Sequence, residues 1–422
     1  MWYSKIITIF KFKELRNKIL FVLAMMLVFR FAANIPIPGF DREKFISFFQ
    51  GNQIFGLMNI FSGGALENFS IVMLGVGPYI TATIIMQLLT LVFPGLEEMH
   101  KEEGEIGRRK FNQYARILTV PLASLQGFGM LKLFQNQGVI TSLGLFDLAS
   151  AIICITGGAV FLMWLGELIT EKGIGNGISL LIFAGIISGT PVSIRQFILT
   201  ADPTRIPVYI LFFLMALFII GGVVFINEAR RNIPVSYAKR VRGHRIYGGV
   251  QTYLPMMLNP AGVIPIIFAM ALLMFPMIGA SFFTNTPIPY LAKGAAILKN
   301  FFENPWIYGL FFFLLIVIFT YFYTAITFNP KNIAENLQKM GGFIPGLRPG
   351  NQTADYIHFI LNRVLLLGAI FLGMIAVMPS VIQGFTGVQV FQFIVGGASL
   401  LIIVSVVLET SKQIQSQLEM RE

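Results

Sequence analysis

The sequence predicts an all-α integral membrane protein with ten transmembrane helices. Charged residues make up only 12% of the 422 positions and hydrophobic residues 55%, where soluble domains carry about 25% charged residues. Mean hydropathy is +0.75. The apolar residues gather into long runs without strand-like alternation, and in lipid a helix satisfies its own backbone polar groups. A helix rising about 1.5 Å per residue needs roughly 20 apolar residues to cross a hydrocarbon core of about 30 Å, and ten windows approach that length.

In chain order the windows are 18–33, 70–93, 117–134, 148–169, 177–188, 207–226, 260–279, 306–328, 359–378 and 393–408. The first apolar run is too long for a cleavable signal and lacks a small-residue cleavage site, so the helix itself is expected to act as the insertion signal. The fifth is the shortest, preceded by GIGNG at 173–177, read as a tight turn into the helix; a dinucleotide fingerprint would follow a strand. The seventh opens on Pro260 and Pro265, which weaken its first turns. An even number of spans puts both termini on one side. That side carries 23 of the 31 Lys and Arg residues and the opposite side six, so the positive-inside rule sets both termini in the cytoplasm. The net charge of +11 follows from this bias.

Several kinds of chemistry have no signal. Ion-coupled transporters carry ionisable groups near the bilayer midplane, whereas Arg30, Lys132 and Glu167 lie toward helix ends, where snorkelling or pairing explains them. No phosphate-binding GxxxxGK[ST] loop occurs, and no nucleophile–base or paired-carboxylate arrangement stands out, so no enzyme activity is expected. His100, His244 and His358 lack metal-ligand spacing, and no cofactor is expected. Cys154, the only cysteine, is expected to be a buried packing thiol.

Two cytoplasmic loops and one outer segment break the pattern of short connections. Loop 227–258 holds Arg230, Arg231, Lys239, Arg240, Arg242 and Arg245 against the single acid Glu228. Its β-prone runs around IPVSYA and RIYGGVQTYL suggest a hairpin-like projection. Such a projection suits an anionic partner, or equally anionic lipid headgroups at roughly 1 kcal/mol per basic residue. Loop 329–355 contains MGGFIPGLRPGN, whose glycines and prolines force repeated turns and display Arg348. The outer segment FGLMNIFSGGALENF at 55–69 is too broken to span and too apolar for an exposed loop; by itself it reads as an interfacial helix.

Taken together, the stretches NIFSGGALENFSIVMLGVGPYITATIIMQLL, EEGEIGRRKFNQYAR, FLMWLGELITEKGIGNGISLLIFAGII, IPVSYAKR, LNPAGVIPIIFA, FIPGLRPGNQTADYI and VGGASLLIIVSVV, in this order, resemble the SecY family, the large subunits of the bacterial protein-conducting channel. The resemblance runs from about residue 10 to 417. It implies two pseudo-symmetric five-helix halves, 1–190 and 206–422, around a central hourglass pore. It also implies that 55–67 is a re-entrant plug helix, with Phe55, Leu57, Met58, Ile60 and Phe61 packed against an apolar constriction and Gly63 and Gly64 as its hinge.

The implied pore ring is Val76 and Ile80 from GVGPYI, Ile178 and Ile182 from GNGISLLI, Ile267 from GVIPII, and Ile402 from GGASLLI. Val76 stands where isoleucine is common in the family. A flexible aliphatic ring dewets when empty and moulds around an extended chain when full. Apolar cargo would leave through a lateral gate between spans two and three and spans seven and eight. The family further implies SecE- and SecG-type small membrane subunits. The SecA motor ATPase or a translating ribosome, whose RNA phosphates suit a basic loop, would dock on Arg230, Arg231, Lys239, Arg240, Arg242, Arg245 and Arg348. Secretory preproteins and signal sequences would be the cargo, and the bacterial inner membrane the location. A solute transporter is disfavoured by the empty midplane and the large basic loops; an insertase or scaffold without a pore is the other alternative.

Overall fold

The computed structural model describes residues 12–37, 62, 64–66, 68–101, 104–136, 138–140, 144–200, 206–237, 240–242, 245–247, 251–283, 288–386 and 397–420. Its helices are α1 (Lys13–Ala32), α2 (Gly77–Val92), α3 (Pro94–Lys101), α4 (Gly104–Asn136), α5 (Leu145–Lys172), α6 (Gly177–Thr200), α7 (Ile206–Glu228), α8 (Ile264–Phe283), α9 (Pro289–Glu303), α10 (Pro305–Thr327), α11 (Pro330–Lys339), α12 (Asn351–Thr386) and α13 (Gly397–Glu419). Short strands β1 (Arg230–Tyr237), β2 (Arg240–Arg242), β3 (Arg245–Tyr247), β4 (Gln251–Met257) and β5 (Gly342–Phe343) lie between α7 and α12.

A helix occupies each of the ten windows. Among the described residues five helical stretches are long and apolar enough to cross a membrane, and Gly77–Val92, Gly177–Pro191 and Ile264–Leu273 are shorter apolar helices. Three details differ from the sequence reading. The fifth window ends at Ser188, but α6 continues through Pro191 to Thr200; membrane helices tolerate an internal proline where neighbours or side chains satisfy the freed carbonyls. The second window begins at Ser70, but 70–76 is a series of turns and α2 starts at Gly77. In α8 Pro260 lies outside the helix and Pro265 in its first turn, where the missing N–H costs nothing; the internal proline is Pro276.

The largest buried cluster takes side chains from almost every span: Val22, Ile80, Leu162, Ile182, Ile219, Ile267, Phe312, Leu372 and Ile402 each come from a different helix. α4 contributes instead to a second cluster, where Met130, Leu131, Leu133 and Phe134 meet Leu66, Phe69, Met73 and Ile155. Close approach is built in at Gly158 of α5, where an added Cβ would come within 2.0 Å of the Ile71 carbonyl oxygen. The 70–76 turns therefore rest directly on the α5 backbone.

Candidate functional site

Val76, Ile80, Ile182, Ile267 and Ile402 are all buried and belong to the one large cluster. Each stands near the beginning of its helix, and the local sequence sets those beginnings. Val76 is the N-cap of α2, with Ile80 one turn on. Asn176 caps α6, its Oδ1 accepting from the Ile178 N–H at 3.1 Å and the Ser179 N–H at 3.3 Å. The Val263 carbonyl accepts from the N–H groups of Ile266 and Ile267 to start α8. Ile178 is only partly buried, and its Cγ1 lies 3.1 Å from where a Cβ on Gly166 of α5 would stand. It packs on the neighbouring helix, while Ile182, one turn further, reaches the cavity.

That cavity, about 530 Å³, lies between α2 and α4 on one side and α8 on the other, with Val76, Ile80, Ile182 and Ile267 in its wall. Leu125, Phe128 and Met130 of α4 and Met270 and Phe283 of α8 complete a lining that is almost wholly apolar. α8 packs against both α2 and α4. On its other side Phe268 meets Phe319 and Tyr323 of α10 edge-on, with ring centroids 5.8 and 6.1 Å apart. An aromatic seam therefore joins α8 to α10, whereas the contact from α8 to α2 and α4 runs beside a greasy void.

The chain entering α2 is pinned from two sides. Ile37 N–H donates to the Phe69 carbonyl at 3.0 Å and Ile71 N–H to the Ile35 carbonyl at 3.1 Å, a single antiparallel bridge. Phe69 has φ +46°, a left-handed conformation costing a non-glycine residue of order 1–3 kcal/mol. Its ring is buried and meets Phe134 edge-on at 6.1 Å, and burying a phenylalanine contributes about 1.5–3 kcal/mol, enough to hold the strained backbone. No sequence signal marks Phe69. Of the expected plug, Phe55, Leu57, Met58, Ile60, Phe61 and Gly63 lie outside the described residues. Gly64 has φ +78°, the conformation a glycine hinge supplies, and its Cα faces the Arg30 guanidinium, 3.6 Å from an added Cβ.

The two loops, 227–258 and 329–355, form one module. β1 pairs antiparallel with β4, Ile233 opposite Leu254, as the β-prone runs suggest, and β5 adds to the other edge of β1 through Ser236 and Phe343. Ile233, Val235 and Met256 bury against Leu337, Ile344, Ile357 and Leu361. Arg230, Arg231 and Arg348 are exposed. Arg240 and Arg242 lie on β2 and Arg245 on β3, paired as a small hairpin; Lys239 lies outside the described residues.

Polar side chains tie several of the helices together. Glu167 Oε1 accepts from Arg116 Nε at 2.7 Å and from the Tyr79 hydroxyl at 3.5 Å, tying α5 to α4 and α2. Arg116 is half exposed, so the pair contributes less than about 1 kcal/mol and mainly sets position. Asn227 Nδ2 donates to Ser405 Oγ at 2.9 Å and its Oδ1 accepts from Asn259 Nδ2 at 3.0 Å. Lys412 Nζ donates to the Asn227 carbonyl and pairs with Glu228 at 2.8 Å. This junction ties the end of α7 to α13 and to the turn that starts α8. Asn227→Leu is expected to cost about 1–3 kcal/mol by stripping Asn259 and Ser405 of their partner. Thermal unfolding in detergent micelles measures it, and adding Asn259→Leu should recover part of the loss. Cys154, expected to be buried, is exposed on α5: the surface of a span faces lipid, where an apolar thiol needs no protein cover.

A family model described as SecY matches residues 70–411. The chain belongs to the SecY family. Protein translocase subunit SecY of Streptomyces galbus is 44% identical over 438 residues, covering 98% of this chain and 97% of that protein. A solved SecY channel, described by the role of its plug domain in stabilising the closed state and maintaining a membrane seal, superposes with a TM-score of 0.66 at 20% identity, covering 94% of this chain and 91% of its own. Sec61 in the canine ribosome-channel complex gives a TM-score of 0.61, also at 20% identity and with the same coverage. The all-α polytopic fold is thus that of the SecY family.

Proposed function

We propose that this chain is the channel-forming subunit of a bacterial protein translocase, not an enzyme, which passes unfolded secretory polypeptides across the plasma membrane and releases apolar segments sideways into lipid. The observation that supports the reading is that Val76, Ile80, Ile182 and Ile267, from three spans, line one apolar cavity, with Ile402 of a fourth span buried in the same extended cluster. A constriction of that composition excludes water and ions when empty and binds no cargo sequence in particular. The family implies Ile178 as a further member, but it packs against Gly166 of α5 and stands beside the cavity. The halves 1–190 and 206–422 would move apart along the α8 contact with α2 and α4, where the apolar cavity leaves fewer contacts to break. A cargo helix with enough apolar area would then partition into lipid by transfer free energy.

Segment 55–67 is the plug in this reading. Deleting it is expected to raise resting ion conductance in planar bilayers; an unchanged conductance would remove the plug. The distribution of Lys and Arg supports cytoplasmic termini in an inner membrane. On that side the β1–β4–β5 module with Arg230, Arg231 and Arg348, together with Lys239, Arg240, Arg242 and Arg245, is the docking surface for SecA or a translating ribosome. SecE- and SecG-type subunits complete the complex. Arg348→Glu is expected to lower motor-driven export several-fold with normal accumulation of the protein, because the side chain is exposed. Export at the wild-type rate would take Arg348 out of the docking surface. The reading as a whole is tested in proteoliposomes of the assembled complex. ATP- and SecA-dependent protection of a secretory protein from external protease supports it, and no protection with an active motor overturns it.

A further inference from the structure

We infer that α9 is an interfacial helix that lies in the outer leaflet of the bilayer, its apolar face seated at the boundary between headgroups and acyl chains. The helix runs from Pro289 to Glu303, 15 residues, or about 22 Å, too short to span a core of about 30 Å. It follows α8 and joins α10 through the single residue Asn304, whose Oδ1 accepts from the Trp306 N–H at 3.1 Å and starts the next span. α9 therefore ends at the depth where a transmembrane helix begins. It packs against both α8 and α10.

The residues of α9 divide by helical position. Ala295 is buried and Ala292 partly so, and these small side chains face the protein. Tyr290, Leu291, Ile297, Leu298 and Phe301 are exposed and recur at the spacing of one helix face. Lys293 is exposed at the edge of that face, and Ala296 is exposed on the opposite side. A stripe of large apolar residues beside a cationic flank is the signature of a helix lying in a membrane surface, seated about 5–10 Å into the boundary region.

Two observations identify lipid as the occupant of this stripe. The Phe301 ring meets Phe311 of α10 edge-on at 5.6 Å, and Leu310, Leu314 and Ile318 continue from there as exposed residues along α10. The stripe is thus continuous with a surface that acyl chains must cover. Tyr290 and Trp306, both exposed, bracket the helix, and these residue types concentrate at membrane–water interfaces. The inference rests on the membrane-spanning fold and on the sidedness read from the Lys and Arg distribution, and stands whether or not the aliphatic cluster conducts.

The experiment uses the full chain with Cys154→Ser and one added cysteine, Ile297→Cys on the stripe or Ala296→Cys opposite it, carrying an environment-sensitive fluorophore. Each is reconstituted into vesicles of phosphatidylcholine with a minority of phosphatidylglycerol. Nitroxide-bearing lipids are expected to quench the label at 297 at least about twofold more than that at 296, as the depth of an interfacial face requires, and aqueous iodide is expected to reverse the order. Equal iodide quenching at both positions overturns the inference, since the stripe then faces water. Protection of 297 from both quenchers also overturns it, since another protein surface then covers the stripe. Both sites are exposed in the fold, so labelling leaves the packing intact, which the wild-type thermal transition of each variant verifies.

Discussion

Ile402→Asn is expected to make the membrane leak. Ile402 is fully buried in the cluster that also holds Ile80, Ile182 and Ile267. An amide placed among them without a partner costs roughly 2–7 kcal/mol, and the cheapest relief is to admit water. Once water enters an apolar constriction, ions follow. Lowering the barrier to ions by only about 1.4 kcal/mol already gives a tenfold rise in flux, so partial wetting is measurable. The expected result is at least about tenfold higher resting conductance in planar bilayers, together with passage of preproteins bearing weakened signal sequences. Ile402→Val is the control. It loses one methylene at about 0.5–1.5 kcal/mol and keeps the constriction dry. Should the asparagine variant fold and seal as tightly as the valine variant, the aliphatic cluster is packing and no more.

Gly158→Ala is expected to be far more damaging than the same change one residue earlier. A Cβ at 158 would come within 2.0 Å of the Ile71 carbonyl oxygen, whereas one at Gly157 meets nothing within 4 Å. The obstacle is backbone on both sides, so α5 and the 70–76 turns must separate. Such overpacking costs about 1–3 kcal/mol and occasionally more. At 157 the substitution instead gains up to about 1 kcal/mol of helix propensity. The two variants should therefore differ by about 2–4 kcal/mol in unfolding measured in detergent micelles. Ile71 also leads directly into Val76, and displacing it is expected to raise conductance without any change to the ring. Equal stability of the two alanine variants would mean that the turns do not rest on α5.

The sequence exposes the parts of this molecule that depend on local composition. Ten apolar windows yield ten helices because lipid leaves the backbone no alternative, and IPVSYA yields a strand because alternate residues, Ile233 and Val235, bury. Glu167 was legible as a pairing residue from its place at a helix end, although nothing local names Arg116 as the partner, 51 positions away. What escapes is whatever needs a distant neighbour. Ser188 and Pro191 look like the end of a span, yet α6 runs on to Thr200, because a membrane helix tolerates an internal proline. Phe69 adopts a left-handed conformation only because Phe134 and its cluster hold the ring. Ile178 shares a helix face with Ile182 but turns to Gly166, a residue whose lack of a side chain matters only across the α5–α6 contact. Cys154 was misread because burial rules drawn from water-soluble cores invert on a surface facing lipid. Among the candidate site residues, the aliphatic set depended on the family resemblance, since valine and isoleucine in a span carry no mark of their own.

Two loops separated in the chain by α8, α9 and α10 share a strand edge, for β5 completes the sheet begun by β1 and β4. Transplanting only one of them from a related protein would leave an unmatched ladder and an exposed hydrophobic seam. Grafts at this face should therefore succeed only in pairs, and the two segments are constrained to change together over evolutionary time.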